Sequence, residues 1–125
     1  MQKIILDTNF LLIPAQFKVD IFSEIHRISV FKYDICILDK TVDELNKIID
    51  EQKGKNKSAA KLALDLIKVK KLKIIKTEEG GVDDLLLGQK EAIIATSDKE
   101  LIKKLKSKGI KIIRLRQKQY LKLEE

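Results

Sequence analysis

Ile4-Ile5-Leu6-Asp7-Thr8-Asn9 and Ala92-Ile93-Ile94-Ala95-Thr96-Ser97-Asp98 are built on one plan. Each is a short run of aliphatic side chains that stops at a polar cluster containing an aspartate. Unbroken apolar runs of this length suit strands buried on both faces of a parallel sheet. Helical spacing follows each of them, through Phe10-Leu11-Leu12 after the first and from Lys99 after the second. Asp7 and Asp98 therefore sit where a strand hands over to a helix. Glu44 and Asp83 hold similar places near the starts of two further helices. In an open α/β sheet such positions meet outside the carboxyl ends of the strands.

Working outward, strands are expected at about 3–6, 34–38, 72–75, 92–96 and 110–113, with a short edge strand in the tail near 120–123. Between them, helical spacing covers Phe10 to Ile28 with a break near Pro14, then about 41–52, 58–70, 82–90 and 99–108. The polar run at 53–58, which contains Gly54, reads as a turn, and Gly80-Gly81 as a second break. Strands alternating with helices predict a three-layer α/β/α domain with a mostly parallel central sheet, spanning residues 1–125 as one unit.

Lys and Arg number 26 against 19 Asp and Glu, a net charge of +7 that favours polyanionic partners. Aromatic residues are only 5% with no Trp, so stacking platforms for single-stranded bases are scarce. The single cysteine, Cys36, lies in Asp34-Ile35-Cys36-Ile37-Leu38 and reads as a small buried side chain. His26, the only histidine, reads as a packing or surface residue of an amphipathic helix. Nothing resembles a signal peptide or a membrane span, so a soluble cytoplasmic protein is expected.

Four carboxylates at one sheet edge repel unless a cation lies among them, and hard divalent ions take oxygen ligands. Asp7, Glu44, Asp83 and Asp98 are therefore candidate ligands for one Mg²⁺ or Mn²⁺, or for two such ions. Each also has a plainer reading. Asp7, favoured as a ligand because a carboxylate beside the core needs a partner, has a helix cap as its alternative, with Thr8 and Asn9 orienting the loop. Thr41-Val42-Asp43-Glu44 and Ser97-Asp98-Lys99-Glu100 both fit capping boxes, with Thr41 and Ser97 as N-caps; the second box leaves the Asp98 carboxylate free. Asp83 and Asp84 suit the first turn of any helix; Asp83 is the favoured ligand and Asp84 an outer member. Lysines near the strand-to-helix loops, Lys99 among them, are candidates for phosphate contacts. A phosphoacceptor signalling domain also places acids at strand ends, and Asp39 imitates its acceptor, but no acidic pair follows the first strand.

Asp7-Thr8-Asn9-Phe10, Glu44, Val82-Asp83-Asp84-Leu85 and Ile94-Ala95-Thr96-Ser97-Asp98-Lys99-Glu100-Leu101 resemble the signatures of the PIN-domain ribonucleases, in family order and over essentially the whole chain. Asn9-Phe10 with Phe17-Lys18-Val19-Asp20-Ile21-Phe22 looks most similar to archaeal relatives of the eukaryotic small-subunit processome nuclease. The resemblance implies Mg²⁺- or Mn²⁺-dependent endonucleolytic cleavage of single-stranded RNA. Asp7, Glu44, Asp83 and Asp98 would be the catalytic ligands, with Thr8 and Ser97 as supporting groups. In that branch the task is pre-rRNA processing, within a ribonucleoprotein assembly. Two other roles stay open: a toxin-type ribonuclease held by a small antitoxin, and a non-catalytic RNA-binding assembly protein. A homodimer is also expected, through residual apolar groups such as Phe17, Phe31 or Tyr33.

Overall fold

Alternation of side chains along β1 (Gln2–Leu6) divides the core in two. In the computed structural model, which describes residues 1–125, Ile4 and Leu6 enter a larger apolar cluster and Ile5 a smaller one on the opposite face. The other elements follow as α1 (Thr8–Leu11), α2 (Ile13–Phe17), α3 (Ile21–Ile28), β2 (Tyr33–Leu38), α4 (Asp39–Glu51) and α5 (Lys55–Val69). The second half comprises β3 (Lys73–Ile75), α6 (Val82–Leu87), β4 (Ile93–Ala95), α7 (Lys99–Ser107), β5 (Ile112–Arg116) and β6 (Tyr120–Glu124). The sheet runs in the order β3-β2-β1-β4-β5-β6, parallel throughout except for the antiparallel β5–β6 pair.

Helices α1 to α5 cover one face, contributing Phe10, Ile13, Ile25, Leu45 and Ala63 to the larger cluster. Helices α6 and α7 cover the other with Leu86, Leu101 and Leu105, against Ile5, Ile94 and Ile112 of the sheet. The three-layer α/β/α expectation holds. Pro14 lies in the first turn of α2, where a missing N–H costs nothing, and so the helical pattern breaks there. Cys36 is buried in the smaller cluster, and burial raises its thiol pKa. His26 is exposed on α3, with its Nδ1 3.4 Å from the Tyr33 hydroxyl. No helix is long and apolar enough to cross a membrane.

Several boundaries differ from the sequence reading for identifiable reasons. Helix α4 begins at Asp39, and Thr41 is not its N-cap. Strand β2 runs straight into the helix, so Asp39 enters the first turn and its Oδ1 accepts from the Lys40 amide. The same carboxylate takes the Thr77 hydroxyl at 2.6 Å and the Thr77 amide at 3.2 Å, pinning the segment after β3. Asp39 is thus occupied as a structural clamp, and hydrogen bonding from Thr77 lowers its pKa. Helix α6 is shorter than expected because Gly88 closes it. Strand β5 runs on to Arg116 because β6 pairs with it along its length, from Ile112 with Glu124 to Arg116 with Tyr120. Of the aromatic groups expected to be free for pairing two copies, Phe31 and Tyr33 pack against the larger cluster, and Phe17 alone is exposed, at 38%.

Ile5, fully buried in the smaller cluster, tests whether α6 and α7 depend on β1 for their seat. Ile5→Ala should lower the urea-unfolding free energy by about 2–5 kcal/mol. A loss below about 1 kcal/mol would mean that this face is loosely packed.

Candidate active site

Strand β1 lies between β2 and β4, and the chain leaves those neighbours toward opposite sides of the sheet. That reversal opens a crevice at the carboxyl ends of β1 and β4, the usual ligand position in an open α/β sheet. Asp7 follows β1 there, and its amide donates to the Ala95 carbonyl at 2.9 Å, which carries the pairing one residue past the strand.

The Asp7 side chain is buried, 7% exposed. Its Oδ1 accepts from the Thr8 amide at 2.9 Å, so it caps α1. Its Oδ2 accepts from the Thr96 hydroxyl at 2.8 Å and from Asn9 Nδ2 at 3.2 Å. Desolvation nevertheless raises its pKa above the ordinary carboxylate value; bonds from Thr96 and Thr8 pull it back, and the negative charges of Glu44 and Asp83 push it further up. The cap and ligand readings of Asp7 do not compete, because the cap takes only one of the two acceptor sites of Oδ1, while Oδ2 accepts from Thr96 and Asn9.

Glu44 projects from the first half of α4 and is joined to this centre through Thr8. The Thr8 hydroxyl donates to Glu44 Oε1 at 2.6 Å, while its oxygen lies 3.3 Å from that of buried Thr41. Glu44 therefore does not reach back to cap its own helix. Its carboxylate is aimed at the end of β1.

Asp98, not Ser97, is the N-cap of α7. Its Oδ1 accepts from the amides of Glu100 at 3.0 Å and Leu101 at 3.2 Å, while Oδ2 makes no bond within the chain. The helix starts late because the backbone is held extended just before it. Thr96 Oγ1 accepts from the Asp98 amide at 3.1 Å, and Asn9 Oδ1 accepts from the Ser97 amide at 3.0 Å. Asn9 thus links Asp7 to the β4 loop. The Ser97 side chain is exposed and makes no bond, and Lys99 beside it is exposed and without an ion pair.

Asp83 and Asp84 both lie exposed in the first turn of α6, but only Asp83 is among the charges that raise the Asp7 pKa. The Asp84 carboxylate lies over Gly81, 3.8 Å from where a Cβ would stand. No three acids stand close enough to hold one ion between them as the side chains lie. The donor set still suits a hard divalent cation: a buried carboxylate under like-charge stress, with a free Asp98 oxygen on the neighbouring strand loop.

Thr96 was missed in the sequence, although it is fully buried and its hydroxyl joins Asp7 to Asp98. A threonine closing an all-aliphatic strand was the available signal. Thr41, read as a cap, instead backs the Thr8–Glu44 contact.

Residues 4–118 match the family profile described as a PIN like domain, and the chain belongs to the PIN-domain family of endoribonucleases. Ribonuclease VapC4 of Methanocaldococcus jannaschii is 35% identical over 129 residues, covering 98% of this chain and 97% of its own. Ribonuclease VapC9 of Archaeoglobus fulgidus is 30% identical over 110 residues, covering 86% of this chain and 78% of its own. Among solved structures, the PIN domain endonuclease Utp24 superposes with a TM-score of 0.75 at 23% identity, over 98% of this chain and 90% of that one. A domain of a functionally unknown protein from M. jannaschii follows at 0.60 and 18%, over 93% and 92%.

The raised Asp7 pKa has a sign that can be measured. An acid whose folded pKa exceeds its unfolded one costs stability once pH rises through that window, and costs nothing below it. In EDTA, the stability of Asp7→Asn relative to the parent should therefore rise as pH goes from about 3 to about 7. Parallel pH profiles for the two proteins would contradict the desolvation of Asp7.

Proposed function

We propose that Asp7, Glu44, Asp83 and Asp98 hold Mg²⁺ or Mn²⁺ at the β1/β4 edge and that the chain hydrolyses phosphodiester bonds of single-stranded RNA there. The observation that carries this reading is the buried, hydrogen-bonded Asp7 placed under the negative charge of Glu44 and Asp83. When bound, such an ion activates water and offsets the charge that builds on the phosphodiester. The chain's own residues do the positioning. Thr96 fixes Asp7 and draws the Asp98 loop in; Thr8 fixes Glu44; Asn9 joins the two loops. Asp98 offers its free oxygen, Asp84 stays in the outer ring, and Lys99 takes a backbone phosphate. The only histidine and cysteine stand elsewhere, one on the surface of α3 and one within the sheet, so no other side-chain base competes with the carboxylates.

Pre-rRNA is the target suggested by the chain's opening residues, Asn9-Phe10 and Phe17 to Phe22. A toxin-type ribonuclease is the second reading, favoured by identities of 35% and 30% to the two VapC ribonucleases. Growth arrest on expression alone, relieved by a small co-purifying protein, selects the toxin. Altered rRNA precursor ends on depletion, without such a partner, select the processing role.

Asp7→Asn keeps the side-chain shape and removes the charge. It should slow cleavage of single-stranded RNA in Mn²⁺ by about a thousandfold or more, with an unchanged circular dichroism spectrum. EDTA should stop the parent. Cleavage by the variant at the parental rate would refute the assignment of Asp7.

A further inference from the structure

Beside the carboxylates, between the end of α2, the start of α7 and the β5–β6 hairpin, lies a hollow of about 490 Å³. Phe17, Ile102 and Leu115 form its apolar part, and Lys99, Arg114 and Lys118 stand around it. It opens next to Ser97, whose amide is tied through Asn9 to Asp7, so it adjoins the candidate active site. None of the hydrogen bonds that arrange the carboxylates uses its apolar wall or its cations.

We infer that this hollow is a nucleotide subsite, in which a base of single-stranded RNA stacks on Phe17 while Lys99, Arg114 and Lys118 hold the adjoining phosphates. The inference rests on the endoribonuclease reading above and names where the strand leaves the site. Three observations support it. Phe17 is 38% exposed at the end of α2, whereas the other phenylalanines are buried or half-buried. The Lys118 ammonium lies 5.6 Å from the centre of the Phe17 ring, so a phosphate-binding cation and the aromatic platform stand side by side. Charge is also complementary to a polyanion. Lys99 and Lys118 have no carboxylate partner, and Arg114 is oriented by Glu124, with Nε 3.6 Å from Oε2.

The hairpin is built to present Lys118. Gln117 and Lys118 both adopt left-handed backbone, with φ of 52° and 54°, and the Gln119 amide closes the turn on the Arg116 carbonyl at 3.0 Å. That tight connection projects Lys118 back over α2. A positively charged groove with an aromatic platform is the recurring design for sequence-tolerant binding of single strands. Phe17 and Tyr120 are the two exposed aromatic groups, and of the two only Phe17 lines the hollow.

The test is fluorescence anisotropy in EDTA, so that nothing is cut, with a short single-stranded oligoribonucleotide and an abasic oligomer of equal length. Phe17→Leu keeps an apolar side chain and should weaken binding of the base-bearing RNA by about tenfold while leaving the abasic oligomer unchanged. Lys118→Asn, suited to the left-handed backbone, should reduce the slope of log affinity against log salt by about 0.7 on both. Parental affinity of Phe17→Leu for the base-bearing RNA, or an equal loss on both oligomers, overturns the subsite. So does an unchanged salt slope in Lys118→Asn. Cleavage of the same RNA by the parent in Mn²⁺ is scored separately, so the subsite can fail while the nuclease reading stands, and the reverse.

Discussion

The hydrogen bond from the Thr96 hydroxyl to the Asp7 carboxylate, 2.8 Å long, is the contact on which the active edge depends. It joins the ends of β1 and β4 at the point where the sheet order reverses. Without it Asp7 would be a buried charge satisfied only locally, by Thr8 and Asn9. The same oxygen of Thr96 accepts from the Asp98 amide, so one side chain spaces two carboxylates from adjacent strands. Low dielectric at this edge makes a satisfied network valuable and an unsatisfied one costly.

From that bond the arrangement radiates through short polar links. Thr8 carries it to Glu44 on α4, and Asn9 carries it to the Ser97 amide. Asp7, Glu44 and Asp98 are thus held by neutral groups. Lysines lie outside the cluster, so positive charge is available to a polyanion without neutralising the carboxylates that face it. A shared divalent cation remains the natural complement of Asp7, whose pKa stays above the ordinary value despite its hydrogen bonds.

Much of this was legible in the sequence because burial on both faces forces unbroken aliphatic runs, and Ile4-Ile5-Leu6 and Ile93-Ile94-Ala95 show them plainly. Their polar ends located Asp7 and Asp98, and the alternation of elements gave the layered, mostly parallel architecture. Capping was less readable. Thr41 and Ser97 fit a capping box on paper, yet β2 running straight into α4 at Asp39, and the Thr96 and Asn9 bonds just before α7, decide where those helices begin. Local pattern holds no record of partners more than thirty residues away, as Thr8 is from Thr41. The role of Thr96 was hidden for the same reason, since its bond to Asp7 depends on how β1 and β4 are paired.

The central claim is that these carboxylates hold a divalent cation, and a Mn²⁺ titration followed by electron paramagnetic resonance tests it most directly. The free-ion signal should be depleted saturably by the parent at neutral pH, and depleted far less by a Glu44→Gln, Asp98→Asn double variant that keeps its fold. Equal depletion by both proteins would contradict a metal centre at the end of β1 and β4.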